Sequence, residues 1–322
     1  LSVVILMVIT FSHEISENYS LVAASNDNRW LTLSSNTKGA RYLVDTKNQP
    51  VTLFGMARCQ YHAKDTEDPL YGGIEGLINH FKDLGCNSMR LAFFQNTFLN
   101  QGTDLIIKSG GYNEAGIQNY ITKYIDPDVQ AIINNGMYVI LDLHMYPPSN
   151  ISPQAMLDYA KAHYIPIWRE LAKRYKDEPM IAVYELWNEP YPADQGSMQL
   201  DGQGKIASGE YKGFDWSAGV RDFFIECVAA VREFDRRHVL LLSDFNAGWG
   251  SAWPITWKNR AYDADPVYRN IAYSVHASST QLDTEYYFYK DWWPDTADAN
   301  NLCFIFGEVE TEDYLMNEKG ML

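Results

Sequence analysis

Short apolar runs rich in β-branched residues alternate along this chain with longer stretches of helical period. The runs are Val51–Met56, Ser88–Phe93, Tyr138–Leu143, Ile181–Trp187, Val239–Leu242, Ile271–Val275 and Cys303–Phe306. Near-continuous apolarity marks strands covered on both faces, as in a parallel sheet. Between them, Ile74, Leu77, Ile78, Phe81 and Leu84 form one stripe ending at Gly85, the pattern of an amphipathic helix with a glycine stop. Asp126-Pro127 and Ser152-Pro153 read as helix starts, and Trp216 to Arg236 supplies a further helix. Ahead of this series, Arg41–Thr46 and the chain from Val51 flank a turn sequence, Asp45 to Pro50. They predict a hairpin able to plug the bottom of a barrel. Strand–helix alternation means a parallel sheet, open or closed. Neither GxGxxG nor GxxxxGK[ST] occurs, which removes the marker of nucleotide-binding open sheets and favours the closed form.

The 322 residues suit one large α/β barrel domain. Against 26 Lys and Arg stand 41 Asp and Glu, a net charge of −15. That balance repels a phosphate backbone, so no nucleic-acid partner is expected. Four scattered cysteines without a CxxC exclude a paired-cysteine zinc site and read as buried free thiols. The opening LSVVILMVITF is too short to cross a bilayer and fits the apolar core of a secretory signal peptide, with cleavage near Ala23-Ala24-Ser25. The expected organisation is a signal-peptide remnant over 1–24 and a single catalytic domain over 25–322, secreted to the cell exterior.

In a parallel barrel the chemistry sits at the C-terminal ends of the strands. The predicted strands end near Arg90, in Asp142-Leu143-His144, in Trp187-Asn188-Glu189-Pro190, in His276 and in Gly307-Glu308. Two carboxylates on one rim are what glycoside hydrolysis needs, one protonated to donate to the leaving oxygen and one ionised. Glu185 shares strand parity with Glu189 and reads as a hydrogen-bonded interior carboxylate. Asn188 and Glu189, being adjacent, serve one site only if the strand ends or twists there. Trp249, Trp253, Trp257, Trp292 and Trp293 fall in rim loops, with Trp249 and Trp292 the foremost candidates for stacking on sugar rings.

Val183 to Pro190 resembles the Asn-Glu-Pro signature of glycoside hydrolase family 5, the cellulase and mannanase family of the retaining (β/α)8 clan. Phe306-Gly307-Glu308 resembles its second signature, and Leu141 to His144 and Met89-Arg90-Leu91 match its strand-three and strand-two endings. The resemblance runs from about Arg41 to Glu310. It implies a (β/α)8 TIM barrel, here truncated before the eighth strand, with Glu189 as acid/base and Glu308 as nucleophile. It further implies that Asn188 contacts the sugar 2-hydroxyl, that Arg90 braces Glu308, and that His144 and His276 bind sugar and tune the carboxylates. No cofactor and no metal are implied. One position departs from the pattern: the usual aromatic two residues after the strand-six histidine is Ser278 here. The activity implied is endo-hydrolysis of β-1,4-linked glucan or mannan by way of a covalent glycosyl-enzyme, with a polysaccharide or oligosaccharide as the only partner. An exo-acting glycosidase or transglycosylase of the same clan, and a carbohydrate-binding pseudoenzyme on the same barrel, are the alternatives.

Overall fold

A computed structural model describes residues 5–7, 27–59, 73–93, 105–148, 150–192, 200–201, 203–243, 270–278 and 302–310. Its strands are β1 (Ile5–Met7), β2 (Thr32–Ser35), β3 (Arg41–Val44), β4 (Phe54–Cys59), β5 (Ser88–Phe93), β6 (Tyr138–Leu143), β7 (Ile181–Glu185), β8 (Val239–Ser243), β9 (Ile271–Ser278) and β10 (Phe304–Glu310). Strands β4 to β10 are hydrogen-bonded in sequence order, each parallel to the next. These seven strands form the curled sheet of a (β/α)8-type barrel. Helices α1 (Ile74–Asp83), α2 (Leu105–Lys108), α3 (Glu114–Tyr120), α4 (Asp126–Asn134), α5 (Pro153–Tyr175) and α6 (Trp216–Arg232) fall between the strands. Strand β1 pairs antiparallel with β4 and also lies against β10.

Most of the predicted elements stand where the pattern put them, and the differences have local causes. The expected first strand, Val51–Met56, forms instead over Phe54–Cys59. Asn87 bonds both the Phe54 N–H and the Thr52 carbonyl, which ties the entry of β4 to that of β5. The expected reversal forms: Val44 and Pro50 make an antiparallel bridge, the Val51 N–H donates to the Leu43 carbonyl at 2.9 Å, and Asp45 closes the turn by accepting from the Lys47 and Gln49 N–H groups, while on its other side β3 pairs with the upstream β2. The helix expected to start at Asp126-Pro127 begins at Glu114, where Asn113 accepts from the Gly116 N–H. It passes through a π-helical turn at Ile121–Ile125 before continuing as α4. That wider turn makes room for the Pro127 ring and its missing donor inside a continuous helix.

Two layers fill the barrel interior, and the period-two alternation of each strand assigns residues to them. The lower layer is apolar: Ile140, Val183, Leu241, Ala272 and Ile305 meet Leu31, Leu43 and Leu53 of the hairpin region. This is the predicted bottom plug. Two residues further along, the inward column turns polar at Asp142, Glu185, Ser243 and Ser274, all buried. Outward-facing Met89, Leu91, Phe93, Val139, Leu141, Tyr184, Leu240 and Leu242 pack beneath the helices. Cys86, Cys227 and Cys303 are free and buried, and burial pushes the Cys303 thiol up to about 12.

Below the plug, a polar cluster fastens the hairpin to the barrel. Asp235 accepts from Tyr184 Oη at 2.9 Å, from the backbone N–H groups of Arg237 and His238, and pairs with the His238 ring. The other His238 nitrogen meets the Glu178 carbonyl at 2.9 Å. Trp30 lies against the His238 ring at 5.0 Å and over the Arg237 guanidinium at 3.9 Å. Burial alone would raise the Asp235 carboxyl. The His238 ring and the two backbone donors outweigh it and hold the group at about 2, against 3.8 for a free aspartate. A depressed carboxyl stabilises the fold fully above its unfolded pKa and loses that contribution as pH falls toward the folded value. Relative to Asp235→Asn, the wild-type protein should therefore lose about 2 kcal/mol of unfolding free energy between pH 4 and pH 2, measured by urea titration at each pH.

Candidate active site

The polar upper layer is organised by Arg90 on β5. Its guanidinium is buried, with Nε 2.7 Å from Glu185 Oε2 and Nη2 2.9 Å from Asp142 Oδ2 and 2.7 Å from Asn188 Oδ1. Because a guanidinium only donates, the contact with Asn188 fixes that amide with its oxygen toward Arg90 and its NH2 toward the rim. The NH2 donates to Tyr146 Oη at 3.0 Å and meets His144 Nε2 at 3.2 Å. Nε2 is thus an acceptor, and His144 holds its proton on Nδ1, 2.8 Å from Asp142 Oδ2. Arg90, Asp142, His144 and Asn188 form a closed ring in which donors and acceptors match.

Glu185 lies at the centre of the barrel. Besides Arg90 it accepts from Ser274 Oγ at 2.9 Å and from Ser243 Oγ at 3.5 Å. Burial works to raise this carboxyl, yet Arg90 and the nearby His276 ring hold it well below the usual carboxylate range. Burial pushes Asp142 up, offset in part by the same guanidinium. Glu185 is thereby the interior carboxylate that strand parity predicts, and Arg90 is its ion-pair partner.

Strand β7 ends at Glu185, and this is how adjacent residues reach one site. Beyond the strand, the indoles of Trp168, Trp187 and Trp216 donate to the carbonyls of Leu186, Met145 and Pro190 at 2.8, 3.0 and 2.7 Å. Glu189 adopts a left-handed backbone with φ of 41°, a conformation that costs energy in a residue other than glycine. Its carboxylate meets His276 Nδ1 at 2.8 Å through Oε1 and Tyr146 Oη at 3.5 Å through Oε2. Glu189, Asn188, His144, His276 and Arg90 thus converge, as the strand endings predict.

A second irregularity lies on β10. Its register against β9 slips at Gly307, so that Glu308 stands opposite His276. Such a bulge shifts the alternation by one residue and brings position 308 level with the inward-facing histidine. Gly307 is confined: a methyl there would lie 2.3 Å from Ser274 Oγ, 2.9 Å from His276 Nε2 and 3.1 Å from Glu185 Oε1. The Glu308 side chain lies outside the described residues, as do Trp249, Trp253, Trp257, Trp292 and Trp293. The described partners of Arg90 are Glu185, Asp142 and Asn188. The residue that sequence reasoning passed over is Tyr146, which bridges Asn188 and Glu189. Its only signal is its place two positions after His144.

An inward ring of strand-end carboxyl, imidazole, amide and guanidinium groups stands above an apolar plug, at the end of a parallel barrel where such folds carry their chemistry. The sequence profile described as cellulase (glycosyl hydrolase family 5) matches residues 44–312, and this chain belongs to that family. It is 27% identical over 252 residues to a β-xylosidase of Phanerodontia chrysosporium, covering 71% of this chain and 45% of that protein. It is 30% identical over 151 residues to endoglucanase A of Butyrivibrio fibrisolvens, covering 46% of this chain and 30% of the relative. The chain spans less than half the length of these curated relatives. Among solved structures, the cellulase Cel5C_n shares the fold with a TM-score of 0.57 at 19% identity, over 86% of this chain and 69% of its own. An endogalactoceramidase does so with a TM-score of 0.58 at 19% identity, over 85% and 66%.

Removing Arg90 would strand two fully buried carboxylates. Arg90→Met should cost about 3–5 kcal/mol of stability, whereas Tyr146→Phe, which removes one half-buried hydroxyl, should cost about 1 kcal/mol or less. Denaturant titration of both variants checks the contrast.

Proposed function

We propose that this chain is a retaining endo-β-glycosidase that cleaves β-1,4-linked glucan, with β-1,4-mannan as the related substrate, and that it acts outside the cell. The observation that carries the reading is the pairing of Glu189 with His276 at 2.8 Å in a chain where the same histidine stands opposite Glu308 in the sheet. The two glutamates come from strands far apart in sequence, and one imidazole relates them. The family profile and the endoglucanase relative support the glucan assignment. The case for export rests on the apolar opening run, of which Ile5–Met7 pairs with β4 in the structure.

On this reading the Glu308 carboxylate attacks the anomeric carbon while Glu189 gives its proton to the departing glycosidic oxygen, leaving an ester between sugar and Glu308. Water then loses a proton to Glu189 and attacks the same carbon, and Glu308 departs as a carboxylate. Configuration is kept because two inversions occur. Asn188 is held by Arg90 with its NH2 toward the rim, which suits donation to the sugar 2-hydroxyl. Tyr146 Oη accepts from that NH2 and would yield to, or share with, the sugar. Retention calls for carboxyl groups about 5–5.5 Å apart.

Glu189→Gln and Glu308→Gln should each lower turnover of a chromogenic cellobioside by about a thousandfold or more, measured by release of the chromophore. Proton NMR of the wild-type reaction should show the β-anomer of the product first. Unchanged turnover in either variant, or the α-anomer first, would overturn the mechanism.

A further inference from the structure

We propose that Glu185 is a positioning residue of the catalytic acid: from the barrel interior it keeps the proton of the His276 ring on Nε2, so that the ring presents a lone pair to Glu189. The proposal rests on Glu189 being the acid/base.

Glu185 is fully buried, and five strands close around it. Arg90 from β5 takes one oxygen at 2.7 Å, and Ser274 from β9 and Ser243 from β8 approach the other at 2.9 and 3.5 Å. Asp142 from β6 shares the guanidinium at 2.9 Å, as does Asn188 at 2.7 Å. His276 Nε2 stands 3.8 Å from Glu185 Oε1, while Nδ1 of the same ring lies 2.8 Å from Glu189 Oε1. Gly307 on β10 leaves room for this arrangement and for no side chain, since a methyl would press on Ser274, His276 and Glu185 together. One imidazole therefore spans an interior carboxylate and a rim carboxyl.

A neutral imidazole carries one proton, and the nitrogen nearer a buried anion is the favoured place for it. With that proton on Nε2, Nδ1 is an acceptor, and the carboxyl facing it is stabilised when it holds a proton of its own. That is the form a glycosidic leaving oxygen requires. When Glu189 gives up the proton to the leaving group and later regains one from water, the Nε2 proton stays in place and Glu185 keeps its charge. The alternative is that Glu185 serves only to balance Arg90, which would make it indifferent to the leaving group.

The test uses the full chain carrying Glu185→Gln, with circular dichroism as the check on folding. Turnover of a cellobioside with a poor leaving group should fall about tenfold or more. Turnover of a dinitrophenyl cellobioside, which needs little protonation, should fall much less. The alkaline limb of the rate profile should move down by about one pH unit, because removal of a nearby negative charge weakens proton binding. Equal losses on both substrates with an unmoved limb would overturn the proposal. A second measurement does not depend on the variant folding: nitrogen-15 NMR of the wild-type histidines, with the His276 signals assigned by their loss in His276→Asn. A proton on Nε2 supports the proposal, and a bare Nε2 in active enzyme overturns it alone. Wild-type protein without glycosidase activity would overturn the acid/base role of Glu189 instead.

Discussion

One guanidinium is buried between two carboxylates, and the upper half of the barrel is arranged around it. Arg90 reaches Glu185, Asp142 and Asn188 from the middle of a parallel sheet, where water is excluded and each charge needs a partner. Two acids share one guanidinium, and their surroundings treat them unequally. Arg90 and the His276 ring keep Glu185 ionised, whereas burial pushes Asp142 toward its protonated form. Through Asp142 the cluster sets the tautomer of His144, and through Asn188 it aims an amide at the rim. Groups facing the rim are thereby fixed by the buried Arg90 and Asp142 beneath them.

The apolar plug below makes this arrangement tolerable. Leu31, Leu43 and Leu53 pack against Ile140, Val183, Leu241 and Ile305 and cover the strand bottoms beneath the charged layer. The Asp235–His238 pair then holds the plug from beneath, with Trp30 stacked across it. Polar and apolar layers are thus stacked along the barrel axis, and the order of residues within each strand produces the stacking. A substitution two positions along a strand moves from one layer to the other.

The backbone beside the candidate site departs from regular geometry at two points. Glu189 is left-handed just beyond the end of β7, and β10 slips its register at Gly307 just before Glu308. Regular strands would set Asn188 and Glu189 on opposite faces and Glu308 opposite Ala277. Each departure is held by neighbours: three indoles pin the chain around Glu189, and the crowded contacts of Gly307 admit no Cβ. Strain of this kind persists where the surroundings over-determine it.

Strand identity, the inward parity of Glu185 and the strand endings at Arg90, His144, Asn188, Glu189 and His276 were legible in the sequence. Hydrophobic alternation is a local property, and a barrel translates position along a strand directly into depth. The family signatures around Asn188-Glu189-Pro190 and Gly307-Glu308 were legible for the same reason, being contiguous. The start of β4, the upstream partner of β3, the π turn ahead of Pro127, the slip at Gly307 and the contacts of Tyr146 were decided only by the tertiary structure. Each depends on hydrogen bonds or steric contacts with residues elsewhere in the fold or on backbone geometry that alternation does not encode. The same holds for the pairing of Glu185 with His276: strand parity places both inside the barrel, but only closure of the sheet brings β7 and β9 around one carboxylate.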